Sequence, residues 1–263
     1  MFDNVTPVSP VTHRDAGWKD PDSYLFASTE SLVPVVIPEV MMLKDMTLAF
    51  VKSTPESAFS LVAIQSLHAG YNLYVNDSGR WVGRYLPLYY RCFPFCMMPI
   101  VDSDQTALCV QQGSYFNASF EEGDHRLFDD QGEMTEAMSQ RLDLVKMFDK
   151  GLRQTKELIE LLDSMNLIVP WDLYVQSGDV DTAKKIQGLF HIDEAALYEL
   201  APEQLKTLVA NGSMALIYGQ MFSEHCVEFL GIQYRNINEK KNLFKNATID
   251  AVFGEDEDET FQF

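Results

Sequence analysis

From Met134 to Asn166 the chain keeps one helical beat. Met134, Met138, Leu142, Val145, Phe148, Leu152, Ile159 and Leu162 return at intervals of three, four or seven residues, with charged residues between them. A strand cannot satisfy that spacing, because its side chains return to one face every second residue. The stretch therefore predicts one or two amphipathic helices, with Gly151 as the expected break. Its methionines read as core residues that fill irregular gaps.

Such helices need apolar surface to cover, and the preceding sequence supplies it as strands. VPVVIPEVMMLKDM passes from a proline-broken β-like run to a short helix near Pro38, and MTLAFV and AFSLVAIQSL read as buried strands. FCMMPIV and ALCVQQ flank VDSDQT as a hairpin, and PWDLYVQ and AKKIQGLFHI flank SGDVD as another. IDEAALYEL, PEQLKTLVANG and SMALIYGQMFSEHCVEFL read as short helices, with Asp193 and Pro202 near the starts of the first two. The expected fold is α+β: several antiparallel hairpins packed with amphipathic helices in a single domain. Residues 1–24, with Pro7, Pro10 and Pro21, suit an extended arm. The α+β domain is expected over 25–235, and 236–263 form a C-terminal extension with an acidic tail.

Composition narrows the function classes. The chain has 263 residues, 46% of them hydrophobic and 12% aromatic, enough to bury a sizeable core. Its longest apolar run, Phe93 to Val101, is broken by Pro94 and Pro99, so no membrane span is expected. The N-terminus lacks the basic start and apolar centre of a secretory signal, which makes the cytoplasm the expected location. A formal net charge of -19 repels phosphate backbones, so nucleic acid is not an expected partner. Cys92, Cys96, Cys109 and Cys226 form no paired CxxC motif and read as reduced and mostly buried.

Against that acidity one stretch stands out, GYNLYVNDSGRWVGRYLPLYYRCFPF. YNLYV and RWVGRY around NDSG predict a β-hairpin over residues 71–85, with Trp81 largely buried against Tyr74. Strand parity then places Leu73, Val75, Arg80, Val82 and Arg84 on the other face. Between Ser57 and Val101, Asp77 is the only acid against Arg80, Arg84 and Arg91, a local positive island. Arginine's planar fork suits carboxylate and phosphate and stacks on tyrosine. Arg80, Arg84, Tyr89, Tyr90 and Arg91 are accordingly the candidate ligand-binding residues, for an anion or an acidic peptide. The alternative is that these arginines pair with the chain's own surplus carboxylates and lay their stems along Tyr85, Tyr89 and Tyr90.

Other constellations carry less chemistry. His191-Ile192-Asp193, with His225 and then Arg235, imitates the ligand set of an iron and 2-oxoglutarate oxygenase, but Asp193 equally suits a helix cap. Pro94 separates Cys92 from Cys96, which weakens them as a metal pair. There is no nucleophile elbow and no glycine-rich phosphate loop, and neither metal nor cofactor is expected. The chain ends in GEDEDETFQF, where Phe261 and Phe263 follow five acids. Phe261 and Phe263 are the candidate partner-binding residues, docking on another protein or on the arginines of a neighbouring copy in a homo-oligomer.

Taken in order, GYNLYVNDSGRW, YLPLYYRCFPF, EEGDHRLFDDQGEMT, GLFHIDEAAL and LVANGSMALIYGQMFS resemble the SapC family, over roughly residues 25–230. The family is named for an S-layer-associated protein and is distinct from the peptide-transporter permease of the same name. The resemblance implies a soluble protein of about this length whose molecular activity is not established. It suggests a binding or accessory module, with the oxygenase and a surface-layer structural role as alternatives. At Cys92 the family often has a second arginine, so the resemblance does not make an arginine pair essential.

Overall fold

The helical beat closes into a single uninterrupted helix. The structure, a computed structural model, describes residues 1–101, 103, 105–176 and 183–233. In chain order the strands β1 (Val5–Pro7), β2 (Gly17–Trp18), β3 (Leu32–Pro34), β4 (Thr47–Val51) and β5 (Ser60–Ile64) precede helix α1 (Leu88–Cys92). Strands β6 (Phe95–Pro99), β7 (Thr106–Gln111), β8 (Phe116–Asn117) and β9 (His125–Arg126) lead to α2 (Glu136–Ser164). Then come β10 (Ile168–Pro170), β11 (Leu173–Gln176), β12 (Ala183–Ile186) and β13 (Phe190–Ile192). Helices α3 (Glu194–Tyr198), α4 (Pro202–Ala210) and α5 (Ser213–Ser223) follow.

The largest sheet has the order β10-β13-β4-β5-β3, antiparallel throughout. Thr47, Leu48, Ala49 and Phe50 are all buried although successive side chains point to opposite faces, so both faces of β4 are covered. Helix α5 packs on β4 and β13, and α2 packs on β5. Two smaller sheets recruit the N-terminal segment. β1 pairs with β7, which pairs with β6, and β2 lies between β8 and β9 with Trp18 buried. The β6–β7 hairpin forms as expected, and so does the β11–β12 pair, whose connecting turn lies outside the described residues.

Helix α2 spans about 43 Å and joins two apolar cores. Met138, Val145 and Phe148 pack with Trp18, Leu88 and Phe95, while Ile159 and Leu162 pack with the large sheet. Thr135 caps its start by accepting the Met138 N–H at 3.2 Å.

Two expectations are corrected here. Gly151 does not break the helix; it is buried against Val36, whose Cβ would lie 2.9 Å from a Cβ placed on the glycine. Gly219 on α5 makes a similar notch for Val40. The 3-10 helix Ile37–Met42, with the Val36 that precedes it, thus sits between α2 and α5 where both helices lack a side chain.

Nor do residues 71–85 form a two-stranded ladder. They make one bridge, Val75 to Trp81, around a turn in which Gly79 has φ 78°. Asparagine side chains take donors that a ladder would use. Asn72 Oδ1 accepts the Tyr74 N–H at 2.9 Å, and Asn76 Oδ1 accepts from Ser78 and Arg80. Strand parity fails as a result, and Leu73 and Tyr74 are both buried. The Tyr74–Trp81 stack does form, with centroids 5.5 Å apart and planes 21° from parallel, but Trp81 is only half-buried where the sequence predicts a largely buried ring.

Candidate functional site

Helix α1 is too short to persist alone, and it stands because Glu39 holds it. Glu39 is buried on the 3-10 helix; its Oε2 accepts the Leu88 N–H at 2.8 Å and its Oε1 accepts the Val36 N–H at 3.2 Å. Burial pushes this carboxyl up from 4.5 to about 7, against the pull of those two N–H groups, the Arg91 charge and the Tyr85 hydroxyl. Cys92 adds a thiol contact to the Leu144 carbonyl on α2.

Fixed in this way, α1 sends its side chains in different directions. Tyr90 is buried and donates its hydroxyl to Gln65 Oε1 at 2.7 Å. Tyr89 packs on Phe148 and Phe2, facing apolar grooves beside α2. Arg91 enters an open cleft of about 480 Å3, whose wall Tyr90 also forms. Trp18, Asp20, Tyr24, His125 and Arg141 line the same cleft.

Arg141 organises the cleft. Its side chain is 14% exposed and its guanidinium donates to the carbonyls of Arg91 and Phe93 and to Asp20 Oδ1. Asp20 Oδ2 lies 3.3 Å from His125 Nε2, and the His125 ring lies over Trp18 with centroids 5.0 Å apart. The buried Trp18 indole N–H has no acceptor among the described residues. Arg141 and His125 thus meet Asp20 on one side of the cleft, while the Arg91 guanidinium on the same lining bonds the Tyr85 hydroxyl beside Glu39. That arrangement holds a carboxylate, with Arg141 on one oxygen and His125 on the other, and a planar guanidinium suits such a group.

The five residues expected to bind ligand divide. Tyr90 and Arg91 share the cleft, and Tyr89 faces the apolar side. Arg80 and Arg84 are exposed on the 71–85 segment and are not among the cleft's lining residues; neither makes an ion pair among the described residues. The Arg84 N–H donates to Asp45 Oδ2 at 2.8 Å, a backbone bond that leaves its side chain out of the contact. Phe261 and Phe263 lie outside the described residues, as does Arg235.

Reasoning along the chain passes over Arg141, yet a signal was present. It stands three residues after Met138 and four before Val145, on the apolar stripe of α2. A charge on a buried stripe needs an acceptor set brought from elsewhere in the fold.

The oxygenase constellation is not assembled among the described residues. His191 Nδ1 lies 3.0 Å from Glu224 Oε1 with its ring stacked on Trp171, and Asp193 caps α3 through the Ala196 N–H at 3.0 Å. His225 meets the Phe222 carbonyl. Among the described residues no three His, Cys, Asp or Glu side chains group to hold a metal. Cys96 stands opposite Cys109 across β6 and β7, and the Cys92 thiol meets the Leu144 carbonyl.

No helix among the described residues is long and apolar enough to cross a membrane. Comparison with curated proteins and with solved structures gave no match to the chain. The profile of one family, SapC, matches residues 8–230.

Proposed function

The chain belongs to the SapC family, and on that premise we propose that it is a binding or accessory protein that docks an acidic peptide of a protein partner. The observation that carries this is the convergence of Arg91 and Arg141 in one aromatic-walled cleft of an otherwise acidic chain. Carboxylates are the chemistry such a pair selects, and the surrounding negative charge disfavours long polyanions. The chain's own Glu255–Glu259 run, followed by Phe261 and Phe263, is a peptide of this kind, so a second copy is one such partner.

Calorimetric titration of the full chain with the peptide Ac-Glu-Asp-Glu-Asp-Glu-NH2 tests the reading. Binding should weaken with added salt and be lost in Arg91→Gln while the thermal midpoint holds. Equal binding by Arg91→Gln rejects it, as does absence of binding at low salt by both the native chain and Asp20→Asn. Removing residues 254–263 asks the second question, since a fall in oligomeric state on that deletion identifies a second copy as the partner.

A further inference from the structure

We infer that Asp20 is the cleft's internal occupant, a carboxylate of the chain seated where a partner's carboxylate binds, so that docking proceeds by exchange. The inference rests on the acidic-peptide reading above and adds how that site is regulated.

The two sides of the contact are unequally fixed. Arg141 is 14% exposed and anchored by two backbone carbonyls, whereas the Asp20 side chain is 58% exposed. Around Asp20 the chain is tied at Lys19, whose N–H donates to Tyr115 O, and at Tyr24, whose N–H donates to Gly79 O. Between those ties residues 20–22 make no backbone hydrogen bond among the described residues, and Pro21 has no N–H to give. The anion therefore sits on the movable side and the cation on the fixed one.

Electrostatics gives the exchange its logic. A largely enclosed guanidinium without an anion is costly, so the seat stays filled by Asp20 until another carboxylate takes it. Asp20 bridges Arg141 and His125 through its two oxygens, which is the footprint of a single carboxylate. An incoming peptide acid reproduces that footprint in a cleft that Arg91 also lines. The apparent affinity is then lowered by the fraction of molecules in which Asp20 is seated.

The test compares Asp20→Asn with the native chain by calorimetry, using Ac-Glu-Asp-Glu-Asp-Glu-NH2 as the probe. Removing the internal competitor should tighten binding about tenfold or more. Asp22→Asn, an equal change of net charge on the same exposed loop, should alter the affinity by less than about twofold. Unchanged or weaker binding by Asp20→Asn with an intact thermal midpoint overturns the inference while leaving the docking reading in place. A gain in Asp22→Asn equal to that in Asp20→Asn also overturns it, because net charge and not the seat would then set the affinity. Absence of binding by both the native chain and Asp20→Asn removes the docking reading and this inference together. Should Asp20→Asn unfold, Asp20→Ser carries the same expectation.

Discussion

Gly151 lies directly against Val36, so that a Cβ on the glycine would stand 2.9 Å from the valine Cβ. An alanine in an exposed helix interior stabilises by up to about 1 kcal/mol over glycine. Here the sign reverses, because the valine has no free end to move aside. Gly151→Ala should destabilise by roughly 1–3 kcal/mol in urea unfolding. Combining it with Val36→Ala should recover part of that loss, and a purely additive double mutant would show that the two residues do not touch.

Glu39 makes stability depend on pH in a stated direction. Burial raises its carboxyl from 4.5 to about 7, so the folded chain holds this proton more tightly than the unfolded one. The contribution is fully present below about pH 4.5 and is lost as pH rises through about 7. A displacement of that size corresponds to roughly 3 kcal/mol. The stability of the native chain relative to Glu39→Gln should fall by about this amount between pH 4.5 and about pH 8, measured by urea unfolding. A relative stability that is flat across the range would mean that the carboxyl is not enclosed as described.

Trp81 is half-buried, stacked on Tyr74, and bonded through its indole N–H to Tyr85 O at 3.1 Å. Trp81→Ala should cost about 2–4 kcal/mol, less than for a fully enclosed ring. Tyr74→Phe removes the hydroxyl's 2.6 Å bond to Asp45 O and should cost about 1 kcal/mol. Chemical denaturation of both variants checks the pair, and a loss below about 0.5 kcal/mol for Trp81→Ala would place the ring outside the core.

Arg80 and Arg84 should separate from Arg91, which lines the cleft. Replacing Arg80 and Arg84 together by Gln should leave stability within about 0.5 kcal/mol and peptide affinity within about twofold. Arg91→Gln alone should abolish binding. If the double variant loses binding as well, the recognition surface extends onto the 71–85 segment.

The Cys92 and Cys96 thiols are each pushed up to about 12, first by burial. At about pH 8 their thiolate fraction is then on the order of one in ten thousand, against roughly one in ten for an ordinary cysteine. Iodoacetamide should label both at least about a hundredfold more slowly in the folded chain than in urea, as read by mass spectrometry. Rapid labelling of either in the folded chain would contradict its burial.

Whatever depends on neighbours three or four residues away was open to the sequence. The periodicity of α2, the proline at the start of α4, the Asp193 cap and the β4–β5 and β6–β7 strands are local events, and each formed where its spacing or capping residue lay. The 71–85 segment misled because Asn72 and Asn76 offer the backbone local acceptors that compete with strand pairing. Gly151 misled for the opposite reason: what it accommodates, Val36, comes from more than a hundred residues away.

The cleft is the furthest from local. The family motifs and the positive island lay in the sequence, and with them Tyr90 and Arg91. Arg141 meets the Arg91 carbonyl 50 residues away and the Asp20 carboxylate 121 residues away. No spacing rule links such positions, because their approach is set by how Glu39 seats α1, how β2 pairs with β9 and how the glycine notches bring the 3-10 helix against α2. Side-chain periodicity is written in the chain, but the meeting of distant charges follows from packing, and only the tertiary structure brings Arg141, outside the island, to the Asp20 carboxylate and into one cleft with Arg91.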